Sequence, residues 1–398
     1  MLTEKNIKNK HKNFVLNTYK KSGPVFFRGA GSFLFTMNNK KYLDLFPGWG
    51  VDILGHCHKE IVKVLSEQSK KLLHVPNNLY HPYQASLAEK IIDYSFKKGK
   101  VFFCNSGTEA VEAALKLAKA YGKGKRYEVI SMNKSFHGRT LGSLSATAQG
   151  KYQDSFKPLI PGFKVAKFGD FNDLKKKITK KTVAVIIEPI QGEGGVNIAS
   201  KSYLQNLRKF CSSKDILLIF DEIQTGMGRV GEMFFMNKYK ITPDMFTLAK
   251  GLGAGVPIGA LVVKEKFSKI LTPGMHASTF GGSPIVTKVA DKVFDVIVKE
   301  KILDNVKKNE IILKTRFKEF KKKFAFIQDV RGVGAMWAIE LKVDGSIFVD
   351  EAFKRGLIIN CTQSRVLRIL PALNISQKVL NQGLDILEEI FNQHIFNG

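Results

Sequence analysis

An α/β fold, with a mostly parallel sheet flanked by helices and joined to a smaller α/β region, is predicted by three features of the sequence. Short, near-continuous apolar runs alternate with helical text from about residue 60 onward: "VFFC", "YEVISM", "VAVIIEPI", "ILLIFDEI" and "MFTLAKG". Strands covered by helices on both faces read this way, because neither side of such a sheet meets water. A second set of short strands, "IQDVRGVGAMWAIEL" and "GLIINCTQSRVLRILPAL", follows a charged helical stretch. No Pro/Ser-rich linker or internal repeat separates the two sets, so they are expected to pack without a flexible tether.

Taken in order, "VFFRGAGSFLFTMNNKKYLDLF" alternates apolar and polar residues around Gly and Asn-Asn, the pattern of a meander or hairpin. "EIVKVLSEQSKKLL" and "YQASLAEKIIDYSF" carry helical periodicity. "GALVVK" follows the lysine-bearing "AKGLGAG", and helices are expected near Val286 to Val298, in "KNEIILKTRFKEFKKKF" and in the closing "SQKVLNQGLDILEEIFNQ". The expected division is a large domain at 46–295, with 1–45 and 296–398 forming a smaller domain from both chain ends.

A chain of 398 residues buries a sizeable core without help from metals or disulfides. Hydrophobic content of 44% and charged content of 25% are ordinary for soluble chains, and no apolar stretch is long enough to cross a bilayer. "MLTEKNIKNKHKNF" lacks the apolar segment and cleavage site of a secretory signal, and Cys57, Cys104, Cys211 and Cys361 lie far apart. Reduced thiols in a cytoplasmic protein are expected. In "GHCH", His56, Cys57 and His58 lack a second cluster to complete a metal site, so no metal is expected. The net charge of +28 raises nucleic-acid binding. The lysines are scattered in short runs, as at Lys175 to Lys177 and Lys321 to Lys323, and no nucleic-acid motif aims them. A solvated lysine-rich surface is the favoured reading.

Three motifs carry chemistry. In "CNSGTEAVEAALKLAKAYG", a strand runs through Ser106, Gly107 and Thr108 into a helix whose Ala110, Ala113, Ala114, Leu117 and Tyr121 share a face. Free N–H groups at such a helix start suit an anion such as phosphate, although an ordinary Thr108 cap fits equally well. In "LLIFDEIQTGMGR", Asp221 ends a buried strand where open α/β sheets place ligands, and a charged acid there needs a cationic partner. A protonated pyridine nitrogen is one such partner. Lys250 follows "MFTLA" among small residues that leave room for a ligand, which makes it a candidate Schiff-base former. A phosphate cradle, a buried acid and a lysine in this order point to pyridoxal phosphate.

The segments "NSGTEA", "FHGRT", "EPIQGEGG", "FDEIQTGMGR", "AKGLGAGVPIGA", "STFGGSP" and "NCTQSRVLRILPAL" also resemble the class III, ornithine-type aminotransferases, dimeric enzymes of pyridoxal-phosphate fold type I. The resemblance spans nearly the whole chain. In "GLIINCTQSRVLRILPAL" it is strongest to the branch acting on acetylated ornithine. It implies that Lys250 binds the cofactor aldehyde, Asp221 faces the pyridine nitrogen, Gln224 reaches the phenolic oxygen, and Phe136 and Ile223 flank the ring. Ser106, Gly107 and Thr108 would hold the phosphate, joined by Thr279 from the neighbouring subunit of a homodimer. Arg139 would grip the distal carboxylate of a substrate, and Arg368 the α-carboxylate of glutamate. Glu193 would pair with Arg368 when the other substrate is bound, as a swinging gate. The implied reaction moves the terminal amine of N-acetylornithine to 2-oxoglutarate by a ping-pong cycle through pyridoxamine phosphate, in arginine biosynthesis.

Departures from the family pattern are Ser283 in "GGSP", Lys59 after "GHCH" and Ala254 in "LGAG", none of which removes a catalytic group. Trp49 falls near a tyrosine of ornithine aminotransferases thought to contact a free α-amine, which favours an acylated substrate. The rivals within the class are ornithine, 4-aminobutyrate, succinyldiaminopimelate and acetyl-lysine transamination, because small differences in substrate are decided by pocket detail. Outside it, the rival is a basic nucleic-acid-binding protein on a retired enzyme scaffold.

Overall fold

The computed structural model describes residues 3–396. The apolar runs form a seven-stranded sheet of β1 (Gly99–Cys104), β2 (Glu128–Met132), β3 (Phe163–Ala166), β4 (Thr182–Ile187), β5 (Leu217–Asp221), β6 (Met245–Leu248) and β7 (Gly259–Lys264). Their spatial order is β1-β7-β6-β5-β4-β2-β3. The pairs from β6 across to β3 are parallel, and β7 runs antiparallel to both its neighbours.

β5 shows why its text is continuously apolar. Leu217 and Ile219 enter one core with Ala113, Ala114 and Leu117 of the helix Gly107–Tyr121. Leu218 and Phe220 enter another with Leu204 and Leu207 of the helix Lys201–Ser213. Both faces are dry, so alternation has no use here. The alanines of the first helix let it lie close to the sheet, which sets its N-terminus at the strand ends.

The predicted meander is present as three antiparallel strands, Phe26–Ala30, Phe33–Thr36 and Lys41–Asp44. Leu357–Ile358 joins the last of them in parallel, so residues from both chain ends share a sheet. A further antiparallel sheet runs in the order Ile327–Val333, Met336–Leu341, Val366–Ile369, Asn360–Thr362. It packs on helices Ile302–Lys323 and Gln377–Phe396 around Phe317, Phe320, Phe324 and Phe391. Several elements stand outside the sequence expectations, among them the helices Phe171–Lys177, Lys201–Ser213, Phe235–Tyr239 and Ser346–Lys354. β3 is an edge strand with only Ala166 buried, and the helix Glu4–Phe14 is a largely polar run that buries none of its residues. Among the described residues, no helix is long and apolar enough to cross a membrane.

Buried Arg229 ties the stretch after β5 to backbone near the far end of the chain. Its Nη1 donates to the carbonyls of Ala335 (3.1 Å) and Pro371 (2.6 Å), and burial pulls its pKa down to about 9.

Candidate active site

Four strand ends and one helix start converge on a cavity of about 450 Å³. Its walls include Ser106, Gly107, Thr108, Phe136, Arg139, Glu193, Asp221, Ile223, Gln224 and Lys250. Residues separated by more than a hundred positions meet because parallel strands deliver all their C-terminal ends to one edge.

The acid pair ending β5 divides between two tasks, because successive side chains point to opposite faces. Asp221 faces the cavity: its Oδ2 lies 2.7 Å from His137 Nδ1, and its Oδ1 accepts from Thr247 Oγ1 (3.0 Å) and Ile223 N (3.2 Å). Glu222 points away and accepts from the N–H groups of Phe235 (2.5 Å) and Met236 (3.1 Å). Burial raises its pKa to about 7 against the pull of those donors.

Lys250 opens a short 3-10 turn after β6, with φ at +45°, a left-handed conformation unusual for a side-chain-bearing residue. Ala254, where the family text usually has glycine, also has a positive φ of +43°. Burial drives the Lys250 pKa below the ordinary lysine value. Glu193, Asp221 and Glu188 pull it back up, while Arg368 pushes it further down. The neutral amine needed by a nucleophile or base is thereby favoured.

At the helix start, Ser106 is the N-cap, its Oγ accepting from Glu109 N at 3.3 Å. The Thr108 cap weighed from sequence is therefore not the arrangement found. The Thr108 hydroxyl instead lies 2.8 Å from Thr140 Oγ1 and 2.6 Å from Ser143 Oγ, and accepts from Arg139 N at 3.2 Å. A Cβ at Gly107 would stand 2.7 Å from Ile223 Cδ1, so a side chain there would displace Ile223 where the helix opens onto the cavity. The buried Gln224 Oε1 has no hydrogen-bond partner. The Arg139 guanidinium lies over the rings of Tyr152 (4.0 Å) and Phe136 (5.5 Å).

Arg368 comes from the smaller antiparallel sheet. Leu367 and Ile369 face that sheet's own core, so Arg368 between them points the other way. It is 1% exposed, with Nη1 2.7 Å from Glu193 Oε1 and 3.1 Å from Gly192 O, and Nε 2.8 Å from Asn360 Oδ1. Burial pushes the Glu193 pKa up, but the charge and hydrogen bond of Arg368 outweigh it, and the net shift is downward. Thr279 lies elsewhere, in a cavity with Phe102, Glu109 and His276.

Two ionisable residues in or beneath the cavity are not among the sequence candidates. His137, buried under Asp221, has no local signal beyond its place in "FHGRT". Glu188 lines the cavity, its Oε1 accepting from Phe136 N (2.8 Å) and its Oε2 from Gly192 N (3.3 Å). Burial and then the charge of Asp221 raise its pKa well above the usual carboxylate range. It follows β4 as Asp221 ends β5, so the strand-end rule applied to "VAVIIEPI" finds it. In "GHCH", His56 turns to Asp44 (2.9 Å) and His58 to Glu300 (3.4 Å), so the two histidines go to separate partners.

A parallel sheet presenting a buried lysine, an acid and a helix start to one cavity is the architecture of fold-type-I pyridoxal-phosphate enzymes. Residues 18–391 match the family model "Aminotransferase class-III", and the chain belongs to that family. It is a pyridoxal-phosphate-dependent aminotransferase. It is 44% identical over 380 residues to an acetylornithine aminotransferase of Aquifex aeolicus, covering 95% of this chain and 99% of the relative. It is 43% identical over 383 residues to one of Clostridium acetobutylicum, with the same coverage. Among solved structures, the ornithine aminotransferase of Toxoplasma gondii superposes with a TM-score of 0.95 at 28% identity, covering 100% of this chain and 97% of that one.

Proposed function

We propose that this enzyme transfers the terminal amine of N-acetylornithine to 2-oxoglutarate, giving the semialdehyde and glutamate, as a step of arginine biosynthesis. The observation that carries the reading is the Glu193–Arg368 ion pair in reach of the cavity that holds Lys250. A site serving one substrate with a single carboxylate and another with two needs a cation whose partner can be displaced. The names of the Aquifex and Clostridium relatives favour the acetylated donor.

The residues present fit the cofactor: a helix start opening on Gly107 for phosphate, an acid at the opposite wall, and the Gln224 side-chain amide, whose Nε2 can donate, between. Pyridoxal phosphate, when bound, supplies the electron sink that stabilises negative charge at the substrate carbon. Ser106, Gly107 and Thr108 would hold its phosphate with N–H groups and hydroxyls. Asp221, oriented by His137 and Thr247, would keep the ring nitrogen protonated. Gln224 would donate to the phenolic oxygen, and Phe136 and Ile223 would confine the ring. Lys250 Nζ would hold the aldehyde carbon and, once displaced by the incoming amine, carry the proton to and from the reacting carbon. Arg139 would receive the distal carboxylate, and Arg368 the α-carboxylate of glutamate once Glu193 swings aside.

We place the active form in a homodimer. Leu79, Tyr80 and Phe280 are exposed together, with the His74 and Phe280 rings 5.4 Å apart and Asn77 bonded to the carbonyls of Ser278 and Gly281. Such an apolar patch beside the proposed phosphate corner suits a second copy, whose own site would receive Thr279. The smaller domain would comprise 1–45 and 296–398 around a large domain at 46–295. The four unpaired cysteines favour a reducing compartment, the cytoplasm.

Free ornithine is the second reading, supported by the Toxoplasma structure. Trp49 weighs against it, since it borders the Arg368 and Glu193 side of the site without a hydroxyl to meet a free α-amine. The test is a panel of amino donors with 2-oxoglutarate as acceptor, run on native protein and Lys250→Ala. Acetylornithine is expected to turn over fastest, and the variant is expected to lose both turnover and the visible cofactor band. Equal or faster turnover of free ornithine overturns the substrate assignment.

A further inference from the structure

The proposed gate sits in "QGEGG", between glycines that make it among the most flexible stretches of text in the chain. In the structure its backbone carbonyls are hydrogen-bonded from the far end of the chain. The Glu193 carbonyl accepts from Thr362 Oγ1 (2.8 Å) and Gln363 Nε2 (2.9 Å). The Gly192 carbonyl accepts from Arg368 Nη1 (3.1 Å), and that of Gly195 from Arg331 Nε (3.1 Å) and Nη2 (2.6 Å). Every one of these donors belongs to the small antiparallel sheet or to the turn after Thr362. Gln363 is fixed in its turn by Gln149 Oε1 (3.1 Å), whose Nε2 donates to the carbonyls of Lys134 and Ser135. Gln363 and Ser364 both adopt left-handed φ values, +51° and +61°, which turn the Gln363 side chain back over the loop.

We propose that Thr362 and Gln363 are positioning residues that lock the backbone beneath Glu193, so that carboxylate exchange at Arg368 proceeds by side-chain rotation alone. The lock thereby sets the discrimination between one-carboxylate and two-carboxylate substrates. The inference rests on the reading of Glu193 as a gate. Without Glu193, Arg368 keeps only the uncharged partners Asn360 Oδ1 and Gly192 O, an unpaired buried charge is costly, and a fixed backbone keeps the returning Glu193 carboxylate aimed at it. With the backbone released, the closed pair forms less readily. The donor half-reaction needs that pair closed, whereas the glutamate half-reaction replaces it with substrate.

The experiment measures kcat/KM separately for N-acetylornithine and for glutamate on the native holoenzyme, Thr362→Val, Gln363→Ala, the double variant, Thr362→Ser and Glu193→Ala. Amide hydrogen exchange over 190–198 is followed on the same proteins. The double variant is expected to lose about tenfold in kcat/KM for acetylornithine and less than about twofold for glutamate. Its exchange over 190–198 should quicken, and Thr362→Ser, which keeps the hydroxyl, should behave as native. Equal losses for both substrates, or unchanged exchange, overturn the proposal. If Glu193→Ala shifts the substrate ratio and the double variant does not, the lock alone is wrong. If Glu193→Ala leaves the ratio unchanged, the gate reading fails and takes the lock with it.

Discussion

Lys250 is shaped more by its neighbours than by its own text. Burial depresses its pKa and Arg368 adds to the effect, while Glu193 is the largest of the opposing pulls. Replacing Glu193 by Gln keeps a hydrogen-bonding group near Arg368 but removes that negative charge. The midpoint for Lys250 deprotonation in cofactor-free protein is then expected to move to lower pH, so the neutral amine persists further into acid. The pH dependence of its reductive methylation measures this, and an upward shift would contradict the electrostatics described. At the same scale, Asp221 and Lys250 were readable because strand-end position and small neighbours are local signals. His137 was not, since nothing in "FHGRT" tells which residue lies under an acid 84 positions away.

At the scale of elements, the "DE" pair shows a strand end serving chemistry on one face and structure on the other. Glu222 joins β5 to the helix Phe235–Tyr239 through its two N–H acceptor contacts. Its folded pKa of about 7 lies above the ordinary 4.5, so folding favours the protonated acid. That contribution is complete below about pH 4.5 and is lost as pH rises through about 7, a change of roughly 3 kcal/mol. Glu222→Gln does not titrate. The stability of native protein relative to this variant should therefore fall between pH 5 and pH 8, which thermal unfolding across that range measures; a difference independent of pH would refute it. The long apolar strands and periodic helices were legible because burial on both faces writes itself into composition. β3 and the helix Glu4–Phe14 were not, the first because an edge strand with one buried residue carries little apolar text and the second for want of any buried face.

For the whole molecule, the separation of Thr279 from the Lys250 cavity becomes a test of assembly. If each site borrows Thr279 from its neighbour, Thr279→Asp and Lys250→Ala damage opposite halves of a site. Each variant alone should be nearly inactive, because the new carboxylate repels phosphate in one and the amine is missing in the other. Co-refolded in equal amounts, they should regain about a quarter of native activity, since half the dimers are hybrid and each hybrid has one intact site. No recovery in a sample shown by mass to contain hybrids would sink the shared-site reading.

The sequence by itself determined the fold class, the buried strands of the large sheet from Thr182 to Leu248, and that Asp221 and Lys250 fall at the ends of two of them, because these depend on apolar periodicity and on residue types at element ends. The tertiary structure decided that Glu222 turns away to bind the N–H groups of Phe235 and Met236, and that Glu188 and His137 attend the cavity. It also decided that the glycine-rich loop bearing Glu193 is hydrogen-bonded by a sheet contributed from the far end of the chain. Those outcomes depend on distances between residues remote in sequence, which only the packing of one core against another sets.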